Sequence, residues 1–193
     1  MSGGGVLRWA EYRAVPWRNG GGTTREVASG RVREAGGEEF DWRVSVADVD
    51  AGGPFSAFPG VDRVITLVEG SGMVLTVDGE APRLVEPLVP FAFPGDARTD
   101  CRLDAGAVRD MNVMTRRGRA SGHVRMVRVD EGGTELTGAA GEILLALAVT
   151  EGVALEGPDT PLGRLDSVRA TPGQSLALRG TGTVAEIRIT PER

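Results

Sequence analysis

An all-β fold is what this sequence predicts, on three observations. Apolar and polar residues alternate at a period of two through most patterned stretches, the mark of strands with one apolar face. Glycine supplies 29 of the 193 residues, about twice its usual share of roughly 7%, which suits turns and disfavours helix interiors. No amphipathic stretch exceeds about two helical turns; residues 7–14 come nearest, as a short helix.

Taken in order, "PWRNGGGTTREVA" (16–28) reads as a glycine loop whose backbone can approach a ligand and aim N–H groups at an anion. In "DWRVSVADVD" (41–50), Trp42, Val44 and Val46 alternate with Arg43, Ser45 and Ala47. The β-branched runs 63–68 and 73–77 follow as strands, and Asp78-Gly79 supplies a hairpin turn. Internal prolines make 84–93 an edge strand or two short extended pieces. "DMNVMT" (110–115) and "VRMVRV" (124–129) are further strands, and after the glycine-rich stretch 130–142 come "EILLALAV", "LALRG" and "VAEIRI". The expected division is an N-terminal barrel over 1–130, holding a ligand pocket, and a smaller β unit over 131–193. Short strands with regular turns suit a sandwich, jelly roll or barrel.

Counts exclude several functions. All 22 basic residues are arginine, so lysine Schiff-base chemistry and a P-loop lysine are absent. One histidine, His123, cannot build a site that needs several imidazoles, and one cysteine, Cys101, cannot form an internal disulfide. A net charge of −5 gives no global attraction to nucleic acid or anionic lipid. No apolar run is long enough to span a bilayer, and the N-terminal stretch lacks a signal pattern, so a cytoplasmic protein is expected. The Arg-rich loop near 116–119 reads as a solvated surface, and no Gly-x-Ser-x-Gly elbow supports a serine hydrolase.

Four blocks in order, "PWRNGGGTTREVA", "WRVSVADVDAGGPFSAFPGVDRVITLVEGSG", "FPGD" and "DMNVMTRRG", resemble the HutD/Ves family over most of residues 7–118. The resemblance implies a bicupin, two packed double-stranded β-helix units with the N-terminal one better formed. It also implies an association with histidine utilisation as a regulator or ligand-binding accessory protein, and it brings no established reaction. Where relatives often carry lysine, Arg18 in "PWRNGGG" keeps the charge. Cupins frequently hold a metal through two or three histidines and a glutamate; here Glu69 follows the strand but no histidine does, so neither metal nor cofactor is expected.

What remains is a polar pocket. Arg43 and Ser45 share one strand face, and Asp110, Asn112 and Met114 share another. If these faces turn inward, their polar groups must satisfy one another or a ligand, since each left unpaired costs about 1–3 kcal/mol. Arginine reads carboxylates through paired charge-assisted hydrogen bonds, which makes Arg43 and Arg63 the candidates; Arg63 pairing with Asp62 or Asp110 is the structural alternative. Asn19, Gly20, Gly21, Gly22 and Thr23 form the loop side, Trp17 and Phe93 the walls, and Glu26 and Glu69 partners for the arginines or acceptors for ligand N–H groups.

The expected partner is therefore a small carboxylate metabolite, with N-formylglutamate the first candidate from the family's association. A homodimer is left open and no catalytic residue is assigned. The rival is a metal-independent cupin enzyme, an isomerase, epimerase or lyase, with Glu26, Glu69 or Asp110 as general base if burial raises its pKa.

Overall fold

The computed structural model describes residues 5–32, 40–157 and 159–192. The strands are β1 (Gly5–Leu7), β2 (Ala14–Pro16), β3 (Gly22–Gly30), β4 (Trp42–Val49), β5 (Gly53–Pro54), β6 (Val61–Glu69), β7 (Met73–Val77), β8 (Arg83–Val85), β9 (Phe91–Pro94) and β10 (Thr99–Leu103). They continue with β11 (Val108–Arg116), β12 (Ala120–Val129), β13 (Thr134–Thr137), β14 (Ile143–Ala148), β15 (Val153–Leu155), β16 (Thr160–Leu162), β17 (Ser167–Arg169), β18 (Ser175–Gly180) and β19 (Gly182–Pro191). No α-helix occurs among the described residues. The helix expected within 7–14 is a single 3-10 turn, Trp9–Glu11, too short to bury a face.

The chain divides into two compact units. One comprises Arg13–Ser121 with the last residues of the chain, the other the N-terminal residues to Tyr12 with Gly122–Pro191. The first contains a sheet ordered β2-β3-β4-β11-β6-β9 and a second ordered β5-β10-β7-β8; the other contains β1-β17-β14-β19-β12 and β13-β18-β15-β16. Strand β1 joins the second unit by pairing with β17, a non-local partner that no local pattern announces.

Local chemistry accounts for most boundaries. Asp78 and Gly79 both take positive φ, 49° and 73°, as a tight turn demands. The prolines split 84–93 into β8, at a sheet edge, and β9. The one substantial departure is β3, since only residues 17–21 form a loop and Gly22–Gly30 is a nine-residue strand. Its β-branched Thr23, Thr24 and Val27 favour the extended state, and the strand is held from both sides, by β2 and by β4.

In the first unit an apolar cluster of Val49, Ile65, Leu67, Met73, Leu75 and neighbours forms the core, with Trp17 and Phe55 packed against it. A smaller cluster gathers Phe40, Val61 and Met114 with Phe58. The second unit has its own core, including Leu144, Ala146, Ala148, Leu155, Leu178 and Val184.

Candidate functional site

The site begins with register. Strand β11 lies between β4 and β6, and its antiparallel pairing sets Met114 opposite both Arg43 and Arg63, Asn112 opposite Ser45 and Ile65, and Asp110 opposite Ala47 and Leu67. Directly paired residues share a face. Arg43, Ser45, Ala47, Asp110, Asn112, Met114 and Arg63 thus look into one cavity of about 490 Å³, the size range of small-molecule sites. The loop after β2 adds Trp17, Arg18 and Asn19, β3 adds Thr24, and the segment between β5 and β6 adds Phe55, Ser56 and Phe58. The walls therefore come from both apolar clusters, while the sheet face between them is polar.

Arg63 is only 6% exposed. Three rings surround its guanidinium, Phe93 at 4.9 Å, Phe55 at 5.2 Å and Phe58 at 5.5 Å. Such contacts hold a cation whose water has been stripped away. Its Nε donates a long bond of 3.5 Å to the side-chain oxygen of Asn112, and the two terminal nitrogens have no hydrogen-bond partner among the described residues. Burial lowers its pKa to about 10, against the favourable charge of Asp110, so it stays protonated at neutral pH. Neither Asp62 nor Asp110 forms an ion pair with it; Asp62 pairs with Arg117 at 3.1 Å.

Asp110, 3% exposed, is the reverse case. Its Oδ1 is buried and makes no hydrogen bond. Burial pushes its pKa up to about 7; the charge of Arg63 opposes the rise, and that of Asp48 adds to it. The carboxyl is thus poised between its two forms near neutrality. Arg43 completes the set: its Nε lies 3.0 Å from the Glu26 carboxylate, yet lacks the alignment of a hydrogen bond and is left unsatisfied. Buried polar groups are normally paired, so two unpaired atoms on residues lining one cavity mark it as the candidate site.

Of the residues singled out from sequence, the cavity brings together Trp17, Asn19, Arg43, Ser45, Arg63, Asp110 and Asn112. The others sit elsewhere for identifiable reasons. Gly20 takes the positive φ of a turn, 71°, and the Gly21 N–H donates to Asn19 Oδ1 at 3.1 Å, closing the loop on itself. A side chain at Gly22 would run into the Asp48 carbonyl oxygen and come within 3.1 Å of the Trp17 ring. These glycines serve a turn and close packing, and they do not line the cavity. Thr23 points away while Thr24 points in, its hydroxyl accepting the Trp17 indole N–H at 2.7 Å. Glu26 is taken up by Arg43 and by Ser29, whose hydroxyl donates to it at 2.7 Å. Glu69 pairs with Arg109 at 2.7 Å. Phe93 stands behind Arg63 and packs in the core.

Sequence reasoning passed over Arg18, Thr24, Phe55, Ser56 and Phe58. The aromatic pair sits in "GPFSAFPG", where only the concentration of Phe and Pro before a strand marked the segment. The donor set does not fit a transition metal: the cavity offers one carboxyl beside the guanidinium groups of Arg18, Arg43 and Arg63, and His123 is exposed on β12. Among the described residues, no three His, Cys, Asp or Glu side chains converge as metal ligands. No helix among them is long and apolar enough to cross a membrane.

A family model described as HutD matches residues 9–186. An uncharacterised 21.2 kDa protein of the hutC 3′ region of Pseudomonas putida is 43% identical over 109 residues, 56% of each chain. The protein Ves of Citrobacter koseri is 37% identical over 124 residues, 62% of this chain and 63% of that one. These matches thus span less than two thirds of either curated relative. Among solved structures, HutD from Pseudomonas fluorescens, obtained in a formate condition, is 36% identical with a TM-score of 0.84, covering 99% of this chain and all of that one. A conserved protein of unknown function from Pseudomonas aeruginosa is 32% identical with a TM-score of 0.82 at the same coverage. The fold extends to a bacterial pirin from Escherichia coli solved with nickel(II), at 9% identity and a TM-score of 0.71, covering 99% of this chain and all of that one. The architecture is cupin-like.

Proposed function

The chain belongs to the HutD family, and from that premise we propose that its first unit is a metal-free site for a small carboxylate metabolite, in an accessory or regulatory role in histidine degradation. We read the two units as a bicupin, the first, with six and four strands in its sheets, being the better formed. One observation carries the ligand assignment: Arg63 is desolvated, held between three rings, and presents its terminal N–H groups to a cavity with no protein acceptor on them. A carboxylate satisfies such a fork with two charge-assisted bonds.

N-formylglutamate is the first metabolite to test. Its carboxylates suit Arg63 and Arg43, and its formamide suits Asn112 and Ser45. Formate, named in the condition under which the Pseudomonas fluorescens relative was solved, is the minimal probe. Titration calorimetry with both should give saturable binding, and Arg63→Met should abolish it while the protein still unfolds cooperatively. No heat with either compound would end the carboxylate assignment.

A second reading is favoured by Asp110, a buried carboxyl ionising near neutrality as a general base requires. A metal-independent isomerase, epimerase or lyase would exchange a substrate C–H proton with solvent. Deuterium incorporation into candidate acids, followed by NMR, separates that reading from binding alone.

A further inference from the structure

Asp110 and Arg63 face the same cavity on adjacent strands and form no ion pair, although a buried carboxylate and a buried guanidinium each gain from one. A carboxylate at the position of Asp110, lacking any hydrogen-bond donor on Oδ1, would also meet an incoming anion with like charge. A protonated carboxyl there does the opposite, because its O–H donates to the anion while the guanidinium groups supply the countercharge. We propose that the cavity takes up its carboxylate ligand together with one proton, and that Asp110 holds the proton. Resting on the carboxylate reading above, this adds that the site recognises the pair of anion and proton, in effect the undissociated acid split between Asp110 and Arg63.

The charged surroundings support that assignment from each element packed against Asp110. Arg63 on β6 and Arg43 on β4 are the cations facing the same space, and Glu26 on β3 already occupies one side of Arg43. Asp48 on β4 raises the pKa of Asp110 while its own carboxylate is committed to Arg25 and Arg109, at 2.6 and 2.5 Å. Cys101 on β10 is buried, with its thiol pushed up to about 11, so it stays protonated and does not share the titration. Arg18, in the loop after β2, lines the same cavity. Asp110 ionises near pH 7 in the empty cavity, so an anion must draw a proton from solvent above that point and need not do so below it.

The experiment is formate titration by calorimetry between pH 5.5 and 8.5, in pairs of buffers that differ in ionisation enthalpy. The expected result is an affinity that is flat below about pH 7 and falls about tenfold per pH unit above it. Proton uptake should approach one per formate bound at pH 8.5 and vanish at pH 5.5. Asp110→Asn should bind formate with no pH dependence and no uptake. Formate binding by the unaltered protein with no proton uptake at pH 8.5 overturns this proposal alone, whatever the variant does. Asp110→Asn that retains the pH dependence also overturns it. Failure of both formate and N-formylglutamate to bind at every pH overturns the carboxylate reading and this proposal together.

Discussion

Each unit buries an acidic side chain in its larger sheet, and the two are treated in opposite ways. Glu186 on β19 is 1% exposed and fully engaged: Arg188 donates to it at 2.5 Å, Arg125 at 2.6 Å, and Arg188 reaches on to Glu142 at 2.7 Å. Asp110 on β11 is also buried and has no hydrogen bond on Oδ1, while Arg63, which lines the same cavity, is held by aromatic rings instead. A buried charge costs several kcal/mol unless it is paired. The second unit closes its account within the chain, whereas the first leaves Asp110 Oδ1 and Arg43 Nε without hydrogen bonds and the terminal nitrogens of Arg63 without an acceptor. What a fold leaves unsatisfied is a better guide to function than what it satisfies.

The contrast can be broken most severely at Arg188. Arg188→Ala leaves Glu186 with a single partner and should cost about 3 kcal/mol in urea unfolding, the low end for a broken buried pair. At Asp110 the sign reverses. Its pKa rises from 3.8 in the unfolded chain to about 7 in the folded one. Between about pH 4 and 7 the folded protein therefore retains a proton that the unfolded chain has lost. Stability should fall as pH climbs through that window and level off above it. Asp110→Asn should flatten this profile and raise stability by about 2 kcal/mol at pH 8, part of the roughly 1.4 kcal/mol per pH unit at stake. Thermal unfolding of both proteins across pH reads the difference; a flat profile in the unaltered protein would contradict it.

Arg43→Ala should weaken formate binding about tenfold, near 1.4 kcal/mol, without lowering the melting temperature, because the Glu26 it releases is half-exposed. Glu69→Gln alters the partly exposed pair with Arg109 and should change neither binding nor stability by more than about 1 kcal/mol. An unfolded Arg43→Ala would show that the polar face is structural.

Much of the polar wall was legible in the sequence because it rests on alternation alone. Once 42–49 and 108–116 are strands, Arg43 with Ser45 and Asp110 with Asn112 must share faces. Alternation does not say which strands are neighbours, and only the pairing of β11 with both β4 and β6 brings Arg63 beside them. The loop side was harder. The glycine triplet reads as an anion cradle when local flexibility is considered, but its third member opens a strand and packs under Trp17. Thr23, read as part of that loop, lies on β3, where alternation gives the cavity side to its neighbour Thr24. Phe55 and Phe58 lie in an irregular segment with no period to read, and their role depends on a cation contributed by another element.

Trp17 gives the molecule a reporter of its own. Its indole packs over Gly22, is fixed by the bond to Thr24, and forms part of the cavity wall. Of the other two tryptophans, Trp42 is fully buried on the opposite face of its strand and Trp9 belongs to the second unit. Light emitted by one indole in three should therefore change as the chamber fills, so occupancy can be followed in real time without attaching any dye.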